Sequence, residues 1–323
     1  MTTKGPITIV LPVYGRPELL PEALNSVRSQ SNPRWKLLIA DDGSDQPTQA
    51  LLQQWIENQQ DTRISWIRRP ENLGLFANLN RAMEEIDSEW TVLLCSDDSL
   101  HPEAIETVLS RCEQWPEAGL VLSSFDSING DGSTRPPDNA HHHDRVSTKT
   151  ALIQPEQLVP ALLQLGSLNG NLTGMAFSRT RWIAAGPFRE DWRHAADWEW
   201  LVRATEQGPV LLNREPIASV RTHNTQLSNS NRRSGHELLE VAQVVQLLRK
   251  HPLLEGESQR DQWAAHVMQF QLWNVLKGMI YGHEQNIRPL LKAIHKSAGI
   301  KRTSISLLRF LPRRIKILNK TAY

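Results

Sequence analysis

Residues 7–45 read ITIVLPVYGRPELLPEALNSVRSQSNPRWKLLIADDGSD, and this stretch decides the fold. Ile7-Thr8-Ile9-Val10-Leu11 is a short run rich in branched apolar residues, as expected of a strand buried on both faces. Leu19, Leu20, Ala23, Leu24 and Val27 then recur at helical spacing over 17–28. A second apolar run over 36–40 stops at two acids, Asp41 and Asp42. A helix between two buried strands predicts parallel pairing with the helix crossing over one face.

The same alternation continues outward. Helices are expected over 46–56, 75–86 and 101–112, and strands over 63–67, 90–94 and 119–123. The result is an α/β fold with a mostly parallel central sheet flanked by helices. Such sheets bind ligands beyond the carboxyl ends of their strands. The polar residues 12–16, 41–45 and 96–99 fall there. A polar, turn-rich excursion covers 126–149, followed by expected helices over 158–165, 181–185 and 197–206. Expected strands lie at 173–178, 210–212 and 217–220. Beyond Gly235 the pattern is helical over 238–249, 259–281 and 287–298, and Gly299 interrupts it.

Composition narrows the class. The chain has 323 residues, 39% of them hydrophobic, and a net charge of +1. That suits one large folded domain with an appendage and speaks against a nucleic-acid binder, which carries a basic field. The charge is uneven, because ten Lys and Arg follow Glu284 with no acid among them. Two cysteines, Cys95 and Cys112, suit a reducing compartment. The apolar run at 7–11 is too short for a signal peptide, and no segment is apolar for a membrane-spanning length. A cytoplasmic protein is expected, either free or peripheral on the inner face of the membrane. Residues 305–318 interleave apolar and basic side chains, which suits an anionic membrane surface or a helix docked on its own domain. A homodimer contact is a further use for the C-terminal helices.

Two acidic clusters carry the chemistry. Asp97 and Asp98 adjoin at a strand end, where like charges repel unless a cation intervenes. Asp41 and Asp42 sit at a second strand end, before Gly43 and Ser44. Each cluster alone is also explained by turn and cap chemistry, with Ser99 or Asp98 capping one helix and Ser44 or Asp45 the other. Two of them at one edge of one sheet point to a shared ligand.

With these motifs in order, the chain resembles family 2 glycosyltransferases of the GT-A fold. The resemblance rests on 7–16, Asp41-Asp42-Gly43-Ser44, Asn72-Leu73-Gly74 and Ser96-Asp97-Asp98-Ser99 with His101-Pro102. It extends through Asp197-Trp198-Glu199-Trp200 with Arg203, and Arg221-Thr222-His223-Asn224 with Ser228. It implies a glycosyltransferase domain over 1–230, with a nucleotide half at 1–125 and an acceptor half at 126–230, and a helical extension over 231–323 with a basic amphipathic tail.

The resemblance also implies roles. Pro12, Val13 and Tyr14, with Arg16 beside them, would surround the donor base, and Asp42 would hydrogen-bond it. Asp97 would approach ribose or phosphate. Asp98 would hold Mg²⁺ or Mn²⁺, His223 would complete the metal shell or donate to phosphate, and Arg221 would pair with phosphate. Asp197 would be the general base of an inverting hexosyl transfer from a UDP- or dTDP-sugar to a glycan or lipid-linked acceptor, in cell-surface polysaccharide synthesis. Glu199 is the alternative base. Cys95 departs from the family pattern, because many relatives have an acid there.

Other features are weighed against ordinary explanations. His141-His142-His143-Asp144 has ligand types, but adjacent side chains rarely converge on one ion. Of the 11 tryptophans, Trp192 is expected to meet the acceptor, while Trp198 and Trp200 cannot share a helix face. A nucleotidyltransferase acting on sugar phosphates would open with a glycine-rich loop, which Pro12-Val13-Tyr14-Gly15-Arg16 is not. A non-catalytic glycan-binding protein would be expected to lose Asp98 or Asp197. An NAD-binding domain would need spaced glycines after the first strand.

Overall fold

The computed structural model describes residues 5–135, 143–168, 171–223, 226–280 and 287–318, with side chains at all of these but 229 and 312–318. Strand β1, Ile7–Val13, is buried at every position. It lies between β2, Trp35–Asp41, and β4, Trp90–Leu93, and pairs with both in parallel. β3, Ile64–Arg68, extends the sheet beyond β2. Helix α1, Leu20–Arg28, covers one face with Leu20, Ala23, Leu24 and Val27, a stripe at i, i+3, i+4 and i+7. Each of these is 0% exposed, so Leu24→Ala would cost about 2–5 kcal/mol.

The strand order is β3-β2-β1-β4-β9-β6-β10-β5. β9, Met175–Ser178, runs antiparallel between β4 and β6, the latter spanning Leu120–Asn129. β10, Val210–Thr222, is parallel to β6. All strands on that path except β9 and β5, Ser99–Leu100, therefore end at one edge. The α/β architecture with a mostly parallel sheet agrees with the sequence reading. The two short strands expected at 210–212 and 217–220 form one strand, with register shifts on either side of Pro216. Proline lacks the N–H for the ladder, so the strand bulges there instead of ending.

The chain divides into two compact units, residues 1–158 with 167–224, and 159–166 with 225–323. The first holds the sheet and an aromatic cluster of Phe177, Trp182, Phe188 and Trp200, with ring centroids 5.1–5.6 Å apart. The second is helical, with His236–Arg249, Glu257–Ile280, Arg288–Ala298 and Ile300–Leu318. Leu238, Val245, Leu248, Ala264, Met268 and Leu272 form its interior. Buried acids there are paired: Asp261 accepts from Arg249 and, at 2.8 Å, from Arg302, and Glu237 accepts from Gln271 at 2.9 Å. Gly299 has φ +77°, a left-handed turn between the last two helices that glycine makes without strain. Among the described residues no helix is long and apolar enough to cross a membrane.

Candidate active site

Three turns at the carboxyl edge of the sheet build the site. The first follows β1. Gly15 and Arg16 are both left-handed, at φ +64° and +59°. For arginine that conformation costs about 1–3 kcal/mol and persists only where neighbours hold it. Gly15 N donates to Ser44 Oγ at 3.1 Å, and Arg16 Nη1 reaches Asp97 Oδ2 at 3.3 Å. Pro12 and Val13 are buried, while Tyr14 is 58% exposed beyond the strand end.

The second turn follows β2. Gly43 has φ +72°, and a Cβ there would stand 2.8 Å from the backbone carbon of Glu71. Only glycine admits so close an approach. Asp42 uses it: Oδ1 accepts from Leu73 N at 2.8 Å and Oδ2 from Gly74 N at 2.9 Å. Burial raises the Asp42 pKa, although these two bonds oppose the rise. The carboxylate implied to read the donor base thus fixes the 72–74 turn, which opens helix α3, Leu75–Glu84. Asp45, not Ser44, caps helix α2, Gln46–Gln59, accepting from Thr48 N at 3.2 Å.

The third turn follows β4, and here the two adjacent acids part. Asp98 is 2% exposed. Its Oδ2 accepts from Thr173 Oγ1 at 2.5 Å and Asn171 Nδ2 at 2.9 Å, and its Oδ1 from Arg221 N at 2.8 Å. Burial first, and the charge of Asp97 second, push its pKa up to about 7. Asp97 instead keeps 14% of its side chain exposed, with His223 Nε2 at 3.0 Å and Arg16 at 3.3 Å. Asp98, the implied cation ligand, is thus the buried acid of the two, and Asp97 with His223 is the partly exposed pair. The thiol of Cys95 is pushed up by burial, then by Asp98 and Asp97. The Cys95 sulfur and one oxygen from each acid lie within 4.8 Å of one another.

Arg221 lies at the same turn. It is 3% exposed. Its guanidinium donates to the backbone carbonyls of Asp97, Asn129 and Gly130 and pairs with Glu22. Through these bonds it shapes the third turn.

Asp197 lies in the first turn of the helix Ala196–Glu206, half-buried, and accepts from Trp198 N at 2.8 Å. The other end of that helix is held by Arg181, which donates to Ala204 O at 2.7 Å and packs on Gly119 at the start of β6. Among the described contacts, none joins Asp197 to the Asp97 cluster. Glu199 is 4% exposed and clamped by Arg203 at 2.8 Å and Arg189 at 3.5 Å, which removes it as an alternative base. Trp192 is 6% exposed and so is a core residue, not an open acceptor platform. His143 is buried against Ser124, and Asp144 pairs with Arg214; His141, His142 and Asn224 lie outside the described residues.

Several site residues were not apparent in the sequence. Thr173 accepts from Cys95 N at 2.9 Å while donating to Asp98, and Asn171 and Glu22 complete the network. Arg69 follows β3, and its N donates to Asp41 O at 2.8 Å. Its Nε and Nη2 are buried without a partner among the described residues, as is Asp41 Oδ2. None of these lies in a local motif; they meet only through the strand order.

A parallel sheet with paired acids at its carboxyl edge, one turned inward and one outward, defines a nucleotide-type site of the α/β class. The family model for glycosyl transferase family 2 matches residues 8–179, and the chain belongs to that family. Its fold is GT-A-like. The S. aureus TarS 1–349 structure in complex with UDP aligns over 94% of this chain and 83% of that one, with TM-score 0.67 and 14% identity. The Pyrobaculum calidifontis mannosyltransferase PcManGT, in complex with GDP-Man and Mn²⁺, aligns over 95% and 88%, with TM-score 0.56 and 15% identity. A putative teichuronic acid biosynthesis glycosyltransferase, TuaG of Bacillus subtilis, is 26% identical over 160 residues, 47% of this chain and 63% of that protein. The chain spans 21% and 63% of the lengths of two curated relatives.

Proposed function

We propose that the chain transfers a hexosyl group, with inversion, from a UDP- or dTDP-sugar to a glycan or lipid-linked acceptor in cell-surface polysaccharide synthesis. The observation that carries this reading is the outward Asp97 carboxylate, set beside His223 at 3.0 Å and Arg16 at 3.3 Å at the carboxyl edge of the sheet. Family membership and the nucleotide complexes of the two similar structures support it.

A carboxylate oxygen suits Mg²⁺ or Mn²⁺, and an imidazole nitrogen beside it suits Mn²⁺ better than Mg²⁺. Asp97 and His223 would hold such an ion, whose chemistry there is to neutralise the diphosphate leaving group. Arg16, which pairs with Asp97 at 3.3 Å, would supply positive charge for a phosphate oxygen beside it. The exposed Tyr14 ring offers a stacking face for the base. Arg69 and Asp41 offer unfilled donors and an acceptor beside it. Asp98 keeps its neighbour in place by fixing the turn from within.

Asp197 would take the proton of the acceptor hydroxyl as its oxygen bonds to the anomeric carbon. The bond from that carbon to the diphosphate breaks on the opposite face, which gives inversion. A panel of UDP- and dTDP-sugars, scored for nucleotide release with Mn²⁺ and with chelator, tests the reading. Cation-stimulated release that Asp97→Ala abolishes is expected. No release from any donor, or equal release in chelator, would sink it.

A further inference from the structure

Cys95 stands at the mouth of the third turn with a role the proposed transfer does not use. Its sulfur and one oxygen each of Asp97 and Asp98 lie within 4.8 Å of one another, the spread of ligands around a single ion. His223 Nε2 is 3.0 Å from Asp97 on the same side of the network. Sulfur is thus collected with carboxylate oxygens where a site for a hard cation needs oxygen alone. The thiol meets Asn171 Oδ1 at 3.6 Å and the Thr173 side chain, weak sulfur contacts that a metal–sulfur bond would replace.

We propose that Cys95 is a selectivity residue of the cation site, and that it tilts the site from Mg²⁺ toward softer divalent ions. Thiolate sulfur binds Co²⁺, Zn²⁺ and Cd²⁺ far better than Mg²⁺, which prefers six oxygens and keeps its waters. On binding, the thiol proton leaves to solvent and the sulfur–metal bond forms, with no change in oxidation state. The four-coordinate shell of Zn²⁺ or Cd²⁺ would be Cys95 Sγ, one oxygen each of Asp97 and Asp98, and a water. Such an ion would be held more tightly than Mg²⁺ and leave less room for the waters that a diphosphate displaces. The protein is therefore expected to be sensitive to zinc and cadmium in a way that an all-carboxylate site is not.

This inference rests on Asp97 being a cation ligand, and the test separates the two ideas. The full chain, stripped with chelator, is titrated with Co²⁺ and read by absorbance. Visible ligand-field bands report an occupied site, and a near-ultraviolet sulfur-to-cobalt charge-transfer band reports sulfur ligation. Both are expected in the parent. Cys95→Ser should lose the charge-transfer band and keep the ligand-field bands, while Cys112→Ser, in the buried face of helix α4, Ala104–Gln114, should keep both. Removing a partner of a ligand already lowers metal affinity about 10–100-fold, so Cd²⁺ affinity should fall at least about tenfold in Cys95→Ser, with Mg²⁺ affinity little changed. A thermal melt matched to the parent shows that the serine variant is folded. Ligand-field bands without charge transfer in the parent overturn the sulfur ligand alone. Absence of both overturns the cation site as well. A charge-transfer band that survives in Cys95→Ser overturns the assignment to this cysteine.

Discussion

The buried Asp98 makes stability depend on pH in an unusual direction. Its pKa rises from 3.8 to about 7, first through desolvation and then through repulsion by Asp97. Between those values the unfolded chain is ionised at this position while the native state still holds the proton. Unfolding then releases a proton, so stability declines as pH rises through the interval and levels off above the native pKa. At about 1.4 kcal/mol per unit, the decline amounts to about 4 kcal/mol. Asp98→Asn removes the ionisation and keeps an oxygen that can accept from Arg221 N. Urea unfolding of parent and variant in chelator, from about pH 4.5 to about pH 8, gives the difference at constant m. The parent should lose stability relative to Asp98→Asn as pH rises. Parallel curves would refute the reasoning, because they would mean that Asp98 has the same pKa folded and unfolded.

Gly43→Ala would set a Cβ 2.8 Å from the Glu71 backbone at φ +72°, so a loss of more than about 2 kcal/mol is expected by thermal or urea unfolding. Asp197→Asn should lower transfer about 100- to 10,000-fold while nucleotide binding, measured calorimetrically, is kept; transfer near the parent rate would move the base elsewhere. Removal of residues 301–323 should reduce binding to anionic vesicles, because Lys301, Arg302 and Arg309 are exposed beside the exposed Ile305 and Leu308. Unchanged co-sedimentation would end the membrane reading of that helix.

How much of this was legible in the sequence depends on what each feature needs. β1 and α1 were readable because their apolar residues recur at the period of a strand and of a helix. The acids at 41–42 and 97–98 were readable because strand ends are places where ligands gather. Periodicity does not say beside which strand a segment will lie. The antiparallel seat of β9 between β4 and β6 was therefore hidden, and with it the meeting of Thr173 and Asn171 with Asp98. β5 is two residues long, too short to show a period. The different burial of Asp97 and Asp98 was hidden for a related reason. Neighbours in a turn point opposite ways, and only the packed third layer shows which way is inward. Arg221 was located correctly at the sheet edge, but its partners Glu22, Asn129 and Gly130 come from three distant segments.

The Asp98 clamp has a consequence for how the protein is made. It joins residues 98, 171, 173 and 221, so the acidic turn has no fixed form until the chain has been synthesised to the end of β10. A nascent chain that stops after β4 can fold its first strands and helices on local terms, yet it carries two acids facing each other with nothing to separate them. The acidic turn is thus a late product of folding, closed by the strand that runs directly into His223.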